Sequence, residues 1–126
     1  FEGGSAVYLQ YTAARINSII KKLDSGEAEA KISKSVFEKD SEFALAKKMM
    51  FFPLIILEAQ KHNSPHIIAV YLEELAQLFN HFYNEVSIIG TSDKSLRLSR
   101  IALIKSVATV IKNGLTLLSV KTPEKI

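Results

Sequence analysis

Apolar residues recur along this chain at steps of three and four and nowhere in sustained alternation, a pattern that commits it to amphipathic helices packed face to face. Leu9, Ala13, Ile16, Ile20 and Leu23 trace one stripe, which Asp24-Ser25-Gly26 ends. A second helix starts at Asp40 or Ser41, both good N-caps, with Phe43, Ala46, Met50, Leu54 and Leu57 expected inward. Pro53 falls inside it; proline has no N–H and crowds the carbonyl of Met49, so a kink or break is expected at Phe52-Pro53. Ser64-Pro65 opens a third helix reaching about Asn84, a hydroxyl cap before a proline at the first helical position. Its inward residues are Ile68, Leu72, Leu75, Phe79 and Phe82. The last helix, from Lys94, uses Ile101, Ile104, Ala108, Ile111, Leu115 and Leu118, with Asn113-Gly114 as a weak point. Glu27 to Lys39 reads as a charged loop holding a short helix at Ser35 to Glu38, a capping-box pattern, and Glu85 to Asp93 as a connection. The expected fold class is all-α, a helical bundle of about four main amphipathic helices.

With 126 residues and 48% hydrophobic content, the chain is expected to form a single domain over 1–126. The absence of cysteine excludes a disulfide scaffold, thiolate metal ligation and a cysteine nucleophile, and agrees with a reducing, cytoplasmic setting. No uninterrupted apolar run reaches the roughly 18 to 20 residues of a membrane span, so no membrane partner is expected. Phe1-Glu2-Gly3-Gly4 lacks an initiating Met and reads as the interior of a longer chain, with residues 1–5 as a junction. A monomer is expected.

Charge is segregated. From Gly3 to Leu23 the bases are Arg15, Lys21 and Lys22, with no acid; from Lys94 to Pro123 they are Lys94, Arg97, Arg100, Lys105, Lys112 and Lys121, again with no acid. Between Asp24 and Asp93 eleven acids face six bases. If the two terminal segments pack side by side they form one basic face that favours a polyanion, against the plainer alternative of solvated helix surface.

Reactive constellations are scarce. His62, His66 and His81 lack the Glu-x-x-His spacing of a helical metal site; His62 and His66 stand four apart, but the Ser64-Pro65 helix start falls between them, and His66 is placed to pack or cap. Glu73 and Glu74 point about 100° apart on a helix and do not converge on one atom. No phosphate-binding glycine loop or nucleophile elbow is present, so neither a catalytic residue nor a metal is assigned.

The polar residues inside the first helix remain to be explained. Tyr8, Tyr11 and Arg15 share a face distinct from the stripe of Leu9, Ala13 and Ile16. Rings stack on unstacked bases, and a guanidinium fork bonds a base edge or a phosphate. The same trio would also suit packing at the core margin.

The run Phe1-Glu2-Gly3-Gly4-Ser5-Ala6-Val7-Tyr8-Leu9-Gln10-Tyr11-Thr12-Ala13-Ala14-Arg15-Ile16 resembles the junction where arginyl-tRNA synthetases pass from the catalytic domain into the C-terminal helical anticodon-binding domain of DALR type. The resemblance continues through Phe52-Pro53, Pro65-His66, Tyr71-Leu72, Glu74-Leu75-Ala76, Phe79-Asn80 and Phe82-Tyr83. Arg100-Ile101-Ala102-Leu103, Gly114-Leu115, Leu117-Leu118 and Pro123-Glu124-Lys125 carry it to the tail. The chain departs at Val7, where the family usually has proline, at Ala13, where it has histidine, and at Ile126, where methionine is usual.

The resemblance implies the anticodon-binding domain of a class I aminoacyl-tRNA synthetase, taking part in arginine–tRNA ligation in protein synthesis. It implies a bundle that unstacks and reads the anticodon loop of arginine tRNA, its first partner, and that sits beside its own catalytic domain. Carried over by position, the tRNA-binding residues would be Tyr8, Tyr11, Arg15, Asn80, Tyr83, Arg97, Arg100 and Ile126. Gln10 belongs to the motif but points elsewhere, which suits a structural hydrogen bond at the junction. The His-Ile-Gly-His and Lys-Met-Ser-Lys type signatures of ATP binding are absent, so no cofactor is expected here; ATP and Mg2+ would serve the catalytic part. A protein-interaction bundle whose tyrosines bury against a partner is the competing reading.

Overall fold

A computed structural model describes residues 3–29 and 36–121. These form α1 (Gly3–Lys21), α2 (Ser25–Glu29), α3 (Asp40–Met50), α4 (Phe52–Lys61), α5 (Pro65–Glu85) and α6 (Lys94–Lys121), with no strand among the described residues.

The chain breaks where steric rules require it. Phe51 alone separates α3 from α4, and Pro53 sits in the first turn of α4, where its missing N–H costs nothing. Asn63 closes α4 in the left-handed region at φ 49°, with Ser64 N–H donating to the Ala59 carbonyl at 2.9 Å and Asn63 N–H to that of Gln60 at 3.2 Å. Ser64 makes no side-chain cap for α5, leaving Pro65 as the start signal. Carboxylates do the capping elsewhere. Asp24 Oδ1 accepts from Glu27 N–H at 2.7 Å and Asp93 Oδ1 from Leu96 N–H at 2.9 Å. At α3, Glu42 Oε1 reaches back to Lys39 N–H at 3.0 Å; neither Asp40 nor Ser41 is the cap.

α5 is the central element, touching α1, α3, α4 and α6, and its stripe of Ile68, Leu72, Leu75, Phe79 and Phe82 is wholly buried. From α1 and α6 come Leu9 and Ile16, and Ile101, Ile104, Ile111 and Leu118. Gly114 does not interrupt α6. A Cβ there would lie 2.6 Å from both methyl carbons of Leu72, so the residue lets two helices approach closely.

The sequence stripe on α3 and α4 is corrected. Phe43, Met50, Leu54 and Leu57 are exposed, by 77% at Met50, and Ala46 is half-buried; Leu45 and Ala59 are the buried apolar residues. The break at Phe51 resets the helical phase, so the stripe extrapolated across it to Leu54 and Leu57 names the wrong face; within α3 the buried side is that of Leu45, not that of Phe43 and Met50. The charged loop also differs: the helix there is α2, Val36 to Glu38 are not helical, and Ser35 lies outside the described residues. α6 is, by length and composition, apolar enough over Lys94–Ser119 to cross a membrane, which a search for uninterrupted apolar runs overlooks. Its stripe is core, packed on α1, α3 and α5.

Candidate nucleic-acid interface

Asn80, on the outer flank of α5's buried stripe, organises the face of α1 that carries the tyrosines. Its Nδ2 donates to the Tyr8 hydroxyl at 3.0 Å, to Thr12 Oγ1 at 3.3 Å and to the Ala76 carbonyl at 3.0 Å. Its Oδ1 accepts from Arg15 Nη1 at 2.7 Å. Thr12 is fully buried and donates to the Tyr8 carbonyl at 3.0 Å. These bonds satisfy the amide and fix the distance between α1 and α5.

Arg15 is thereby held flat between two rings. Its Cζ lies 4.4 Å from the Tyr83 ring centroid and 5.0 Å from that of Tyr11, and Nη2 donates to the Tyr11 hydroxyl at 2.9 Å. Tyr11 is 57% exposed and Tyr83 38%, so both rings meet solvent, while Arg15 between them is half-buried. Phe79 supports the Tyr83 ring from below, with centroids 6.1 Å apart. The result is a preset platform: two stacking surfaces, a planar cation with free donors, and little side-chain entropy left to lose on binding. Tyr8, Tyr11, Arg15, Asn80 and Tyr83, nominated from the sequence, come together here. Thr12 was not singled out from the sequence; its signal is a polar residue between inward Leu9 and Ile16.

Arg97 and Arg100 lie elsewhere and are occupied. Arg97 forms a two-pronged pair with Glu27, Nε to Oε2 at 2.5 Å and Nη2 to Oε1 at 3.2 Å, and Nη1 also donates to the Ile89 carbonyl. That hydrogen bond with Glu27 is the main reason its pKa is raised above the ordinary arginine value. Arg100 is 5% exposed, with Nη2 donating to Glu42 Oε1 at 2.8 Å and to Glu38 Oε1 at 3.3 Å, and Nη1 to Thr91 Oγ1 at 2.9 Å. Both guanidinium groups tie α6 to α2, α3 and the α5–α6 turn rather than facing solvent. Ile126 lies outside the described residues.

α1 and α6 do pack together, as the charge pattern required, yet the basic face is weaker than counting suggests. Besides the two arginines, Lys105 donates to the Ala28 carbonyl at 2.5 Å. Lys112 stays exposed on a groove of about 730 Å3 between the two helices, which Gln10 also lines, away from Tyr8 and Tyr11. His66 is exposed, and His62 and His81 sit at 3.3 Å and 3.6 Å from Glu58 and Glu85 on their own helices. No group of three metal-ligating side chains occurs among the described residues. Glu74 is paired with Lys48 at 2.6 Å.

Comparison with known proteins agrees with this geometry. The profile of the DALR anticodon binding domain matches residues 9–126. Arginine–tRNA ligases of Buchnera aphidicola subsp. Schizaphis graminum and Haemophilus influenzae strain PittGG are 41% and 37% identical over 126 residues, the whole chain, and that of Methanosarcina barkeri is 38% identical over 129. The chain spans 22% of the length of the first two and 23% of the third. Among solved structures, the Thermus thermophilus arginyl-tRNA synthetase superposes with a TM-score of 0.74 and 29% identity, over 88% of this chain and 19% of that one. With the family profile spanning nearly the whole length and the fold shared, this chain belongs to the DALR anticodon binding domain family.

Proposed function

We propose that this domain binds the anticodon loop of an arginine tRNA and reads its unstacked bases on the Tyr11–Arg15–Tyr83 platform. One observation carries the reading: a half-buried guanidinium held between two exposed rings by Asn80, 2.7 Å away. A core-margin packing role would bury those rings; a base-reading role leaves their faces open. Tyr8 acts from below, through its hydroxyl bond to Asn80. Arg97 and Arg100 shape the scaffold, and Ile126 stays a candidate wall of the site.

The relatives' names and lengths support a place inside a longer arginine–tRNA ligase. In this proposal ATP and Mg2+ serve a catalytic part, and the protein works as a cytoplasmic monomer. In that setting 1–126 is the anticodon-binding unit and 1–5 its junction. Arg15→Ala is expected to weaken binding to arginine tRNA by about 1–3 kcal/mol, measured at one fixed salt concentration. Unchanged affinity contradicts the assignment.

A second reading has its own observation. Phe43, Met50, Phe51, Leu54 and Leu57, on α3, α4 and the residue between them, are all exposed apolar side chains, of the kind a protein contact covers. Salt separates the two readings: binding through phosphates falls steeply between low and moderate ionic strength, whereas an aromatic or aliphatic interface responds little.

A further inference from the structure

The two helices that carry the platform are joined by polar side chains at one level of the bundle. Every hydrogen bond between α1 and α5 among the described residues runs through Asn80. Past it the helices part, and a cleft of about 540 Å3 separates Ile19 and Lys22 from Tyr83 and the residues that follow it to Ile89. Tyr83 therefore stands beyond the Asn80 clamp, in the last turn of α5, which ends at Glu85. The last carbonyls of a helix have no intrahelical partner and its end frays, so a ring placed there keeps its position when the chain that follows is held.

That chain is held by Arg97. Val86 and Ile88 are buried and anchor it in the core, whereas Ile89 is exposed, and no helix resumes until Lys94. Arg97 Nη1 donates to the Ile89 carbonyl and also lies 3.4 Å and 3.5 Å from the carbonyls of Ile88 and Thr91. Arg100 holds the far end of the same turn, through Thr91 Oγ1 at 2.9 Å.

The other edge of the Arg97 guanidinium belongs to the opposite side of the cleft. Nε and Nη2 pair with Glu27 at 2.5 Å and 3.2 Å, and both side chains are mostly withdrawn from solvent, where a charged pair is screened less than on an open surface. Glu27 lies in α2, which the end of α1 carries directly. Lys22 and Leu23 N–H donate back to the Ile19 and Ile20 carbonyls at 3.1 Å each, and Asp24 caps Glu27 N–H at 2.7 Å. Lys105 also holds α2, through the Ala28 carbonyl at 2.5 Å, but makes no bond to α5 or its turn. One planar group thus links the segment after α1 to the segment after α5, where the two helices have parted. An ammonium is a point charge without a fork and could not serve both.

We propose that Arg97 is a positioning residue for RNA binding: without meeting RNA itself, it ties the turn after α5 to the segment after α1 and so keeps the Tyr83 ring 4.4 Å from the Arg15 guanidinium. The inference rests on the RNA-binding reading above and adds to it a residue that acts through Tyr83. It also separates Arg97 from Arg100, whose bonds to Glu42 and Glu38 tie α6 to the start of α3.

The test uses the 126-residue chain with Arg97→Met and with Arg97→Lys, each alone and combined with Tyr83→Leu, and the anticodon stem-loop RNA of an arginine tRNA. Hydrogen exchange reads the structural half without RNA. In both Arg97 variants the amides of Asn84, Glu85 and Val86 should exchange roughly 10-fold faster or more, while those of Leu72 and Leu75 keep their rates. Affinity reads the other half: both variants should bind the RNA roughly 2- to 30-fold more weakly with an unchanged salt slope, and should cost nothing further when Tyr83→Leu is present. Rescue by Arg97→Lys, with a salt slope lower by about 1 in Arg97→Met, would put Arg97 on a phosphate and overturn the proposal. Equal losses with and without Tyr83→Leu, or unchanged exchange at the three amides, overturn it as well. If Arg97→Met does not fold, Glu27→Gln, which weakens the pair and spares the carbonyl bonds, should speed the same amides and show the same dependence on Tyr83. Tyr83→Leu alone should cost roughly 5- to 150-fold in affinity. No binding by the unmodified chain, or no cost of Tyr83→Leu, overturns the RNA-binding reading and the proposal with it, even where hydrogen exchange shows the turn released.

Discussion

Arg100→Met should cost this domain a large share of its stability, although Arg100 sits far from the tyrosine platform. Its guanidinium is 5% exposed and lies 2.8 Å from Glu42 Oε1; Glu42 is fully buried. Removing one partner of such a pair leaves a buried charge and costs about 3–5 kcal/mol, against a typical total of about 5–15 kcal/mol. Glu42→Gln should cost less, because the amide oxygen can still accept from Lys39 N–H, now 3.0 Å from Oε1, and Arg100 keeps Glu38 at 3.3 Å. The double variant leaves no isolated carboxylate, so its loss should fall short of the sum by about 0.5–3 kcal/mol. Equilibrium unfolding in urea, with an unchanged m-value, reads all four proteins. A cost below about 1 kcal/mol for Arg100→Met, or strict additivity, would refute the buried-pair account.

Other consequences follow from single contacts. Gly114→Ala gains about 1 kcal/mol of helix propensity but drives its Cβ into the buried Leu72, 2.6 Å away, so Tm should fall; a rise would sink the close approach. Burial pushes the Tyr71 hydroxyl, which donates to the Lys48 carbonyl at 2.8 Å, up to about 12. The folded state then holds a proton that the unfolded state has lost above pH 10, so stability falls as pH rises from 10 towards 12. Tyr71→Phe should lack that component in pH-dependent melts, and an identical alkaline profile would be contrary evidence. Lys112→Ala, on the open α1–α6 groove, should lower affinity for every tRNA equally and flatten the salt dependence; selective loss of one anticodon would contradict a phosphate role.

Local rules made much of the fold legible. The α5 and α6 stripes follow from periodicity, and the break between α3 and α4 from the chemistry of Pro53. What failed needed information from afar. The phase of α4 after Phe51 is set by packing on α5, so exposed Leu54 and Leu57 read as core. Arg97 and Arg100 looked like a basic face because their partners, Glu27 and Glu42, stand 70 and 58 positions away. The platform divides the same way. Tyr8, Tyr11 and Arg15 share one helical face and were readable together. Asn80, 72 positions from Tyr8, could be nominated by resemblance, but its four-bond role and the part of Thr12 emerge only when α1 lies on α5.

The measurement closest to the central claim is the affinity of this chain, at one stated salt concentration, for arginine tRNA and for the same tRNA with only its anticodon bases changed. Base reading on the Arg15 platform predicts a preference for the native anticodon of about 1–3 kcal/mol per base read, lost in Arg15→Ala. Equal affinity for the two tRNAs in the unaltered chain would contradict it.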